Sequence, residues 1–220
     1  MPRQILIYVV CVLAILAGGL PAATASPLAL DFTGGNLTFC KGPSEGHCSG
    51  GWGFLVTSPI IVDGLGFWDE GSDGLEDTHN VGLWNDAGAV LLASATITNA
   101  STPVASSAAG GRWLFNLISP VQLNPGSYSI AALYTAKPDF DFGGDLIRVE
   151  AGATTIPQIS FVTARESGCC FYPETPRPEF NAGEFGPTFS ATAVSEPITL
   201  ALFGVALAGL GFSRRKRAAN

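Results

Sequence analysis

Carboxylate side chains are concentrated in one short segment, residues 69–77, which reads DEGSDGLED. Calcium takes several carboxylate and carbonyl oxygens from a flexible loop, so this segment has suitable ligand types. It does not follow the EF-hand pattern, because Gly71 stands at the third position and Asn80 at the twelfth. We therefore predict a looser calcium site formed by three carboxylates, Asp69, Asp73 and Asp77. The alternative is a solvated turn whose acidic residues aid solubility.

Aromatic residues near acidic loops indicate a second kind of chemistry, the stacking of rings on sugars. A further acidic segment, residues 139–145, interleaves phenylalanines with aspartates. The candidates for a sugar platform are Trp52, Trp68, Phe140, Phe142, Phe171 and Tyr172. A calcium-assisted carbohydrate-binding module is therefore one functional alternative, and burial of the tryptophans in a core is the structural one.

Residue types for catalysis are sparse in this sequence. It contains two histidines, His47 and His79, and neither a G-x-S-x-G nor an H-E-x-x-H motif. His79 follows Asp77 by two residues, a spacing that indicates strand alternation more than a catalytic pair. Paired carboxylates could serve a glycosidase, but no spacing argues for one. We predict no enzymatic activity and no catalytic residue, with a polysaccharide hydrolase as the second functional alternative.

Four of the five cysteines lie in the central part of the chain: Cys40, Cys48, Cys169 and Cys170. An even number in an exported domain predicts two disulfides, for which three pairings exist. Pairing Cys40 with Cys48 closes a tight loop and leaves the adjacent, sterically strained pair of Cys169 with Cys170. The rival pairing joins the early loop to the later one, and the sequence leaves both open.

The backbone that must position these residues has the pattern of β-structure. Short alternating runs recur between Gly, Pro, Asn and Asp residues, and no helical periodicity lasts for three turns in residues 26–195. The predicted strands cover residues 28–32, 52–56, 60–67, 79–84, 90–98, 112–118, 121–123, 127–135, 146–149, 159–163 and 188–192. The runs 112–118 and 121–123 are predicted to pair with each other, and residues 99–111 to form a polar loop. The spacing predicts an all-β fold, a single jelly-roll-like antiparallel β-sandwich over residues 26–193.

Apolar residues at alternate positions define the predicted core. In the run 127–135, Tyr128, Ile130, Ala132 and Tyr134 share one face, which suits a half-buried sheet. The whole predicted core draws on Phe54, Leu65, Phe67, Val81, Leu83, Trp84, Leu91, Trp113, Phe115, Ile130, Leu133 and Phe161. Residues 168–186, rich in proline and aromatic residues, are predicted to form an ordered loop pinned by cysteine.

The first 25 residues have the pattern of a signal peptide. Arg3 precedes an almost unbroken apolar run at residues 5–20, and the Ala-Thr-Ala stretch at 23–25 fits the rule for cleavage before Ser26. The run is shorter than the roughly 20 apolar residues that a bilayer-spanning helix needs. We predict export through a cleaved signal, and the alternative is an uncleaved N-terminal anchor.

The tail, residues 194–217, contains an apolar run of 15 residues at 198–212 and then a basic cluster, Arg214, Arg215, Lys216 and Arg217. The residues just before the apolar run are Ser195, Glu196 and Pro197. Basic residues that flank an apolar helix stay cytoplasmic, so the acidic domain is predicted to lie outside. The three-part order resembles the PEP-CTERM sorting signal, whose Pro-Glu-Pro motif is here Ser-Glu-Pro. The resemblance implies processing by exosortase, a membrane transpeptidase-like enzyme, and a permanent tail anchor is the alternative.

The net charge of the region between the signal segment and the tail limits which binding partners the protein can have. Residues 26–195 hold 17 acidic and 6 basic residues, a net formal charge of −11. Such an excess repels nucleic acid and anionic surfaces, so nucleic acid is excluded as a partner. Divalent cations and neutral polymers are compatible with it, and calcium is the one cofactor candidate.

A second resemblance covers residues 51–135, which are similar to a β-sandwich domain of unknown function found in secreted bacterial proteins. The segments that carry it are residues 65–67, the loop at 69–74, residues 79–84, residues 120–121 and residues 126–128. This resemblance supports the fold and implies no particular activity.

These patterns predict an exported protein of the envelope surface or extracellular matrix with a structural or adhesive role. Its precursor is expected to be tethered to the inner membrane through the apolar helix and then sorted by an exosortase-like enzyme. The predicted partners are that enzyme, the membrane and, as a further candidate, extracellular polysaccharide.

Overall fold

The computed structural model describes residues 26–38, 47–135, 147–149, 152–168, 171–178 and 184–194. Within them the chain forms fifteen strands, which confirms the predicted all-β class. In chain order the strands are β1 (Leu30–Thr33), β2 (Asn36–Thr38), β3 (His47–Val56), β4 (Ile60–Glu70), β5 (His79–Asn85), β6 (Val90–Ile97), β7 (Thr102–Val104), β8 (Gly111–Leu123), β9 (Gly126–Thr135), β10 (Ile147–Val149), β11 (Gly152–Thr155), β12 (Ile159–Ser167), β13 (Thr175–Arg177), β14 (Glu184–Phe185) and β15 (Pro187–Ala193).

Two antiparallel sheets form the sandwich. The larger sheet has the order β13-β12-β3-β9-β5-β6, and the smaller one has the order β15-β4-β8-β7. From β3 to β9 the chain passes between the two sheets four times, between β3 and β4, β4 and β5, β6 and β7, and β8 and β9. Two smaller sheets accompany them, one of two strands, β1-β11, and one of three strands, β14-β10-β2. The antiparallel sandwich is therefore confirmed.

Aromatic side chains fill the space between the two sheets. Trp52, Trp68 and Trp113 are fully buried. The ring of Phe32 lies edge-on to Trp68 at 4.7 Å and to Trp113 at 5.4 Å, while Phe189 stacks on Trp52 at 5.7 Å. Such rings bury large apolar areas and prefer edge-on or offset geometries, so they account for much of the core packing.

Most of the predicted core is confirmed. The residues that are buried in the core as predicted are Phe54, Leu65, Phe67, Val81, Leu83, Trp113, Phe115 and Ile130. Trp84 is also buried, but it does not belong to this core cluster. The prediction for Leu91 is wrong, since 47% of this residue is exposed. The register between β5 and β6 shifts at Leu83 and Trp84, which pair with Ala93 and Leu91, so Leu92 is an extra residue. A β-bulge of this kind reverses the alternation and turns Leu91 away from the core.

The predicted pairing of residues 112–118 with 121–123 is also wrong. Both runs belong to the single strand β8, which pairs with β4 along its length. The register shifts between Val62 and Gly64, which face Val121 and Leu117, so residues 118–120 bulge. Pro120 has no backbone N–H, and a bulge is where a strand tolerates that loss.

Candidate functional site

The acidic segment connects β4 to β5 at one end of the sandwich, and we call residues 69–78 the acidic end. The carboxylate of Asp69 is buried. Its Oδ1 accepts a hydrogen bond of 3.1 Å from the Gly74 N–H, and its Oδ2 accepts one of 2.8 Å from Arg112 Nε. The bond from Gly74 therefore holds the loop closed, and the Arg112 guanidinium neutralises the buried carboxylate.

Glu70 has a similar structural role beside it. Arg148 donates two hydrogen bonds to this carboxylate, from Nε at 2.7 Å and from Nη2 at 2.6 Å. Trp68 Nε1 donates a third, at 2.7 Å. The same guanidinium donates to the carbonyl oxygens of Gly34 and Ala109. This bidentate pair ties the end of β4 to β10 and to the two neighbouring loops.

The structure does not bring the predicted calcium ligands together. Over the residues it describes, no group of three or more His, Cys, Asp or Glu side chains is arranged to hold a metal ion. The physical reason lies at Asp69, whose oxygens bind Arg112 and the Gly74 backbone. Asp73 and Asp77 belong to the same loop without completing a metal site with it. The second acidic segment, 139–145, lies outside the described residues.

The histidine beside the acidic end belongs to the core. His79 is buried, and its ring stacks on Phe67 with ring centroids 3.9 Å apart. Its Nδ1 lies 3.2 Å from the carbonyl oxygen of Leu133. This placement agrees with strand alternation as the reason for its position after Asp77.

The predicted sugar platform is wrong for its two tryptophans. Trp52 and Trp68 are fully buried in the sandwich. Phe140 and Phe142 lie outside the described residues. The remaining candidates, Phe171 and Tyr172, are half-buried and pack together against a third tryptophan on the outer face of the larger sheet.

Trp84 is that third tryptophan, and the sequence prediction did not include it in the platform. Its ring lies 4.8 Å from Phe171 and 6.0 Å from Tyr172, edge-on in both cases. Gly82 lies beneath the ring, because a Cβ added there would come within 2.3 Å of Trp84. Ser49 Oγ donates a 2.8 Å hydrogen bond to the Phe171 carbonyl, which holds the segment on the sheet.

An ion pair under this segment fixes it further. Arg165 Nη1 lies 3.0 Å from Asp86 Oδ2, and Arg165 Nε donates to the Pro173 carbonyl at 2.8 Å. Ser129 Oγ donates to Asp86 Oδ1 at 2.7 Å. The guanidinium also stands 5.5 Å from the centre of the Tyr172 ring, within cation–π range. We call this surface the outer-face cluster: Trp84, Asp86, Arg165, Phe171 and Tyr172.

The phenol of Tyr172 completes the outer-face cluster. Its hydroxyl donates to Asp86 Oδ1 at 3.2 Å and accepts from Arg165 Nη2 at 3.3 Å. Burial raises the pKa of Tyr172 above 10, the Arg165 charge lowers it, and the Asp86 charge raises it again. The net shift is upward, so the phenol remains a protonated hydrogen-bond donor at neutral pH.

The last described residues lead directly into the tail. Ala193 at the end of β15 pairs with Ile60, and the Val194 N–H donates to the Pro59 carbonyl at 3.0 Å. Ser195, Glu196, Pro197 and the basic cluster lie outside the described residues, as do the signal segment 1–25 and Cys40, Cys169 and Cys170. Cys48 lies in β3 opposite Tyr134. Both disulfide pairings therefore stay predictions.

No helix within the described ranges has the length and apolar character needed to cross a membrane. The apolar run 198–212 is not among those residues.

Comparison with known proteins identifies the tail. A family model described as the PEP-CTERM protein-sorting motif matches residues 193–216, so the match begins at the last residue of β15. No curated protein matches the chain.

A β-sandwich that continues into a terminal sorting signal defines a class, the exported proteins of the cell envelope or extracellular space. Within that class, this chain is an exported protein that carries a PEP-CTERM sorting motif. The motif implies processing by an exosortase-like enzyme, in agreement with the resemblance seen in the sequence.

Proposed function

We propose that the protein is a structural or adhesive component of the envelope surface or extracellular matrix. The observation that carries this proposal is that every arginine in the described residues forms an ion pair with a carboxylate. Each one fixes a loop or an edge strand through a carboxylate, in the pairs Arg112–Asp69, Arg148–Glu70, Arg165–Asp86 and Arg177–Glu166. Ion pairs of this kind favour a rigid acidic domain with a fixed surface for contacts, which suits a matrix component.

We propose further that the protein passes through a membrane-tethered precursor. A helix over residues 198–212 is about 22 Å long at 1.5 Å per residue, against about 30 Å of bilayer hydrocarbon. A short helix is accommodated when the bilayer thins or flanking residues extend the span. Glu196 is costly to bury and should lie at the outer interface, and Pro197 interrupts regular structure there. The enzyme would then meet an extended segment.

The test is the C-terminal mass and the location of the protein in a bacterium that has an exosortase. Protein in the surface or matrix fraction should end before Arg214. Surface protein that still carries residues 214–220 throughout would contradict processing. Protein found only free in the medium, unbound to cells or matrix, would contradict the structural or adhesive role.

The outer-face cluster favours a second candidate, a carbohydrate-contact surface. It offers half-buried rings beside a guanidinium, the group types that stack on and hydrogen-bond to sugars. Exchanging Phe171 and Tyr172 for alanine should weaken retardation of the protein in a gel containing the host exopolysaccharide. Leu117→Ala removes an exposed apolar side chain elsewhere and is the matched control. Equal retardation of all three proteins would remove this candidate.

A further inference from the structure

One end of the sandwich is defined by the place where β15 stops. Four turns meet there, at residues 57–59, 86–89, 124–125 and 156–158, and we call them the tail end. Backbone hydrogen bonds join them to each other and to the neighbouring strands. Val194 N–H donates to Pro59 O at 3.0 Å, and Thr57 N–H donates to Gln158 O at 2.8 Å. The exit of the tail is therefore part of one continuous surface that both sheets share.

The tail end carries almost no charge, although the domain as a whole is acidic. Asp86 is the one ionisable residue in these four turns, and it is paired with Arg165. Asp63, further along β4, accepts hydrogen bonds from Ser26 and Ser190. The carboxylates Asp69, Glu70, Asp73, Glu76 and Asp77 lie at the acidic end instead.

The distance between the two ends decides how far the acidic charge reaches. Strand β4 runs from Ile60 at the tail end to Glu70 at the acidic end. At about 3.3 Å per residue the strand spans about 33 Å, whereas the Debye length is about 8 Å at physiological ionic strength. The acidic end is therefore screened from anything that touches the tail end, an anionic bilayer included.

Exposed apolar side chains are concentrated away from the acidic end, where the carboxylates lie. Six large ones are exposed among the described residues, and one of them, Leu117, lies within β8. Of the other five, Leu55, Val90, Leu91 and Val194 lie in or beside the tail end, and Val162 lies three residues into β12, as far along its strand as Asp63 is along β4. Apolar side chains on an uncharged surface suit the interfacial region of a bilayer.

The length of chain available brings this surface to the membrane. From Val194, held on Pro59, to Ile198, where the apolar run begins, there are four residue steps. At most about 3.6 Å each, they span no more than about 14 Å. The headgroup layer itself occupies several ångströms on each side of the hydrocarbon. An inserted tail therefore leaves the tail end within reach of the headgroups.

We propose that the tail end lies against the lipid headgroups in the tethered precursor, with the acidic end pointing away from the membrane. This inference rests on the membrane-tethered precursor proposed above. It goes further by assigning a lipid-facing surface to the folded domain and a fixed orientation to the sandwich. The segment to be cut is then confined between the bilayer and the end of β15.

The experiment uses the full chain, reconstituted without any exosortase in nanodiscs of phosphatidylethanolamine and phosphatidylglycerol. A photo-crosslinking benzoylphenylalanine replaces Ser58, Ala87 or Thr78, each of which is exposed. Ser58 lies next to the tail exit, Ala87 lies in a turn of the other sheet, and Thr78 lies at the acidic end. Lipid adducts are counted by the mass of the intact protein after irradiation.

We expect at least about tenfold more lipid adduct at positions 58 and 87 than at position 78, because β5 separates position 78 from the turn at 86–89 by about 20 Å. Adduct at 58 without adduct at 87 would show that the tether alone brings the chain to the bilayer, and it would overturn the proposal. Equal adduct at all three positions, or none at 58, would overturn it as well.

Extraction of the same chain from vesicles at alkaline pH separates this inference from its premise. Resistance to extraction together with the expected adducts supports both. Resistance without adducts at 58 and 87 removes the lipid-facing surface alone. Complete extraction shows that the tail does not insert, and it removes the tethered precursor together with the inference.

Discussion

At the scale of single residues, carboxylates determine where the loops of this domain lie. Asp31 in β1 accepts hydrogen bonds from Ser106 Oγ at 2.5 Å, from Ser107 N and Oγ at 2.6 and 2.7 Å, and from Trp113 Nε1 at 3.0 Å. Burial raises the pKa of Asp31, but these hydrogen bonds outweigh it and the pKa is lowered below its ordinary value. The ionised carboxylate therefore stabilises the fold.

Replacing Asp31 with asparagine should lower the free energy of unfolding at pH 7 by about 1–3 kcal/mol, because a donor group then faces the Ser107 N–H. A pKa lowered in the folded state gives stability that is present above the unfolded pKa, near 4, and is lost as the pH falls through the folded pKa. The difference between the two proteins in urea unfolding should therefore shrink below about pH 4. Asp73→Asn, at an exposed position, is the control. A difference that grows at low pH would contradict this account.

The Asp86–Arg165 pair should contribute more than the pair at the sheet edge. Its side chains are 17% and 14% exposed, whereas Glu166 and Arg177 are 24% and 27% exposed. A double-mutant cycle with Asp86→Asn and Arg165→Met should give a coupling free energy of about 1–3 kcal/mol. The matched cycle on Glu166 and Arg177 should give less than about 1 kcal/mol. Equal coupling energies would contradict the importance assigned to the outer-face cluster.

At the scale of strands, the alternation of apolar residues and the position of turn residues suffice to predict the bounds of a long strand. The run 127–135 was predicted within one residue of β9, and its four inward residues are buried. Five strands of two to four residues were missed, because so short a segment has no period to detect and depends on its partner. They are β2, β7, β11, β13 and β14. The bulges in β6 and β8 were missed for the same reason, since their register depends on the facing strand.

Close packing between β4 and β8 gives a prediction at this scale. A Cβ added to Gly66 would come within 2.5 Å of the buried Phe115 ring, whereas at Gly53 the nearest atom is the Cδ methylene of Arg165, 3.1 Å away. Gly66→Ala should therefore cost about 1–3 kcal/mol in urea unfolding, because a packed ring must move. Gly53→Ala should cost less than about 1 kcal/mol. The added methyl displaces the Arg165 methylene slightly, but alanine also lowers the conformational entropy of the unfolded chain, which offsets that cost. Equal losses of stability would contradict the difference in packing.

At the scale of the whole molecule, the sequence predicted linear signals and missed the chemistry that folding brings together. The sorting tail is a contiguous pattern, and the family match at 193–216 confirms it. The sequence could not show that Asp69 has a counter-ion, because Arg112 comes from a different strand. Trp84 was predicted only as a core residue, because its contact with Phe171 depends on a loop that crosses the outer face. Ion pairs between residues that are distant in the sequence produce no local sequence pattern, so they cannot be predicted from it.

The basic cluster should decide on which side of the membrane the tail stays. Moving one basic residue through the bilayer centre costs about 2.5–3.5 kcal/mol, so a four-residue cluster opposes translocation by about 10 kcal/mol or more. Changing Arg214, Arg215, Lys216 and Arg217 to serine should therefore carry a phosphatase fused after Asn220 into the periplasm, where it becomes active, and sorting should fail. A variant with four lysines keeps the charge, and its fusion should stay inactive in the cytoplasm. Equal phosphatase activity in the serine and lysine variants would show that some other feature holds the tail in place.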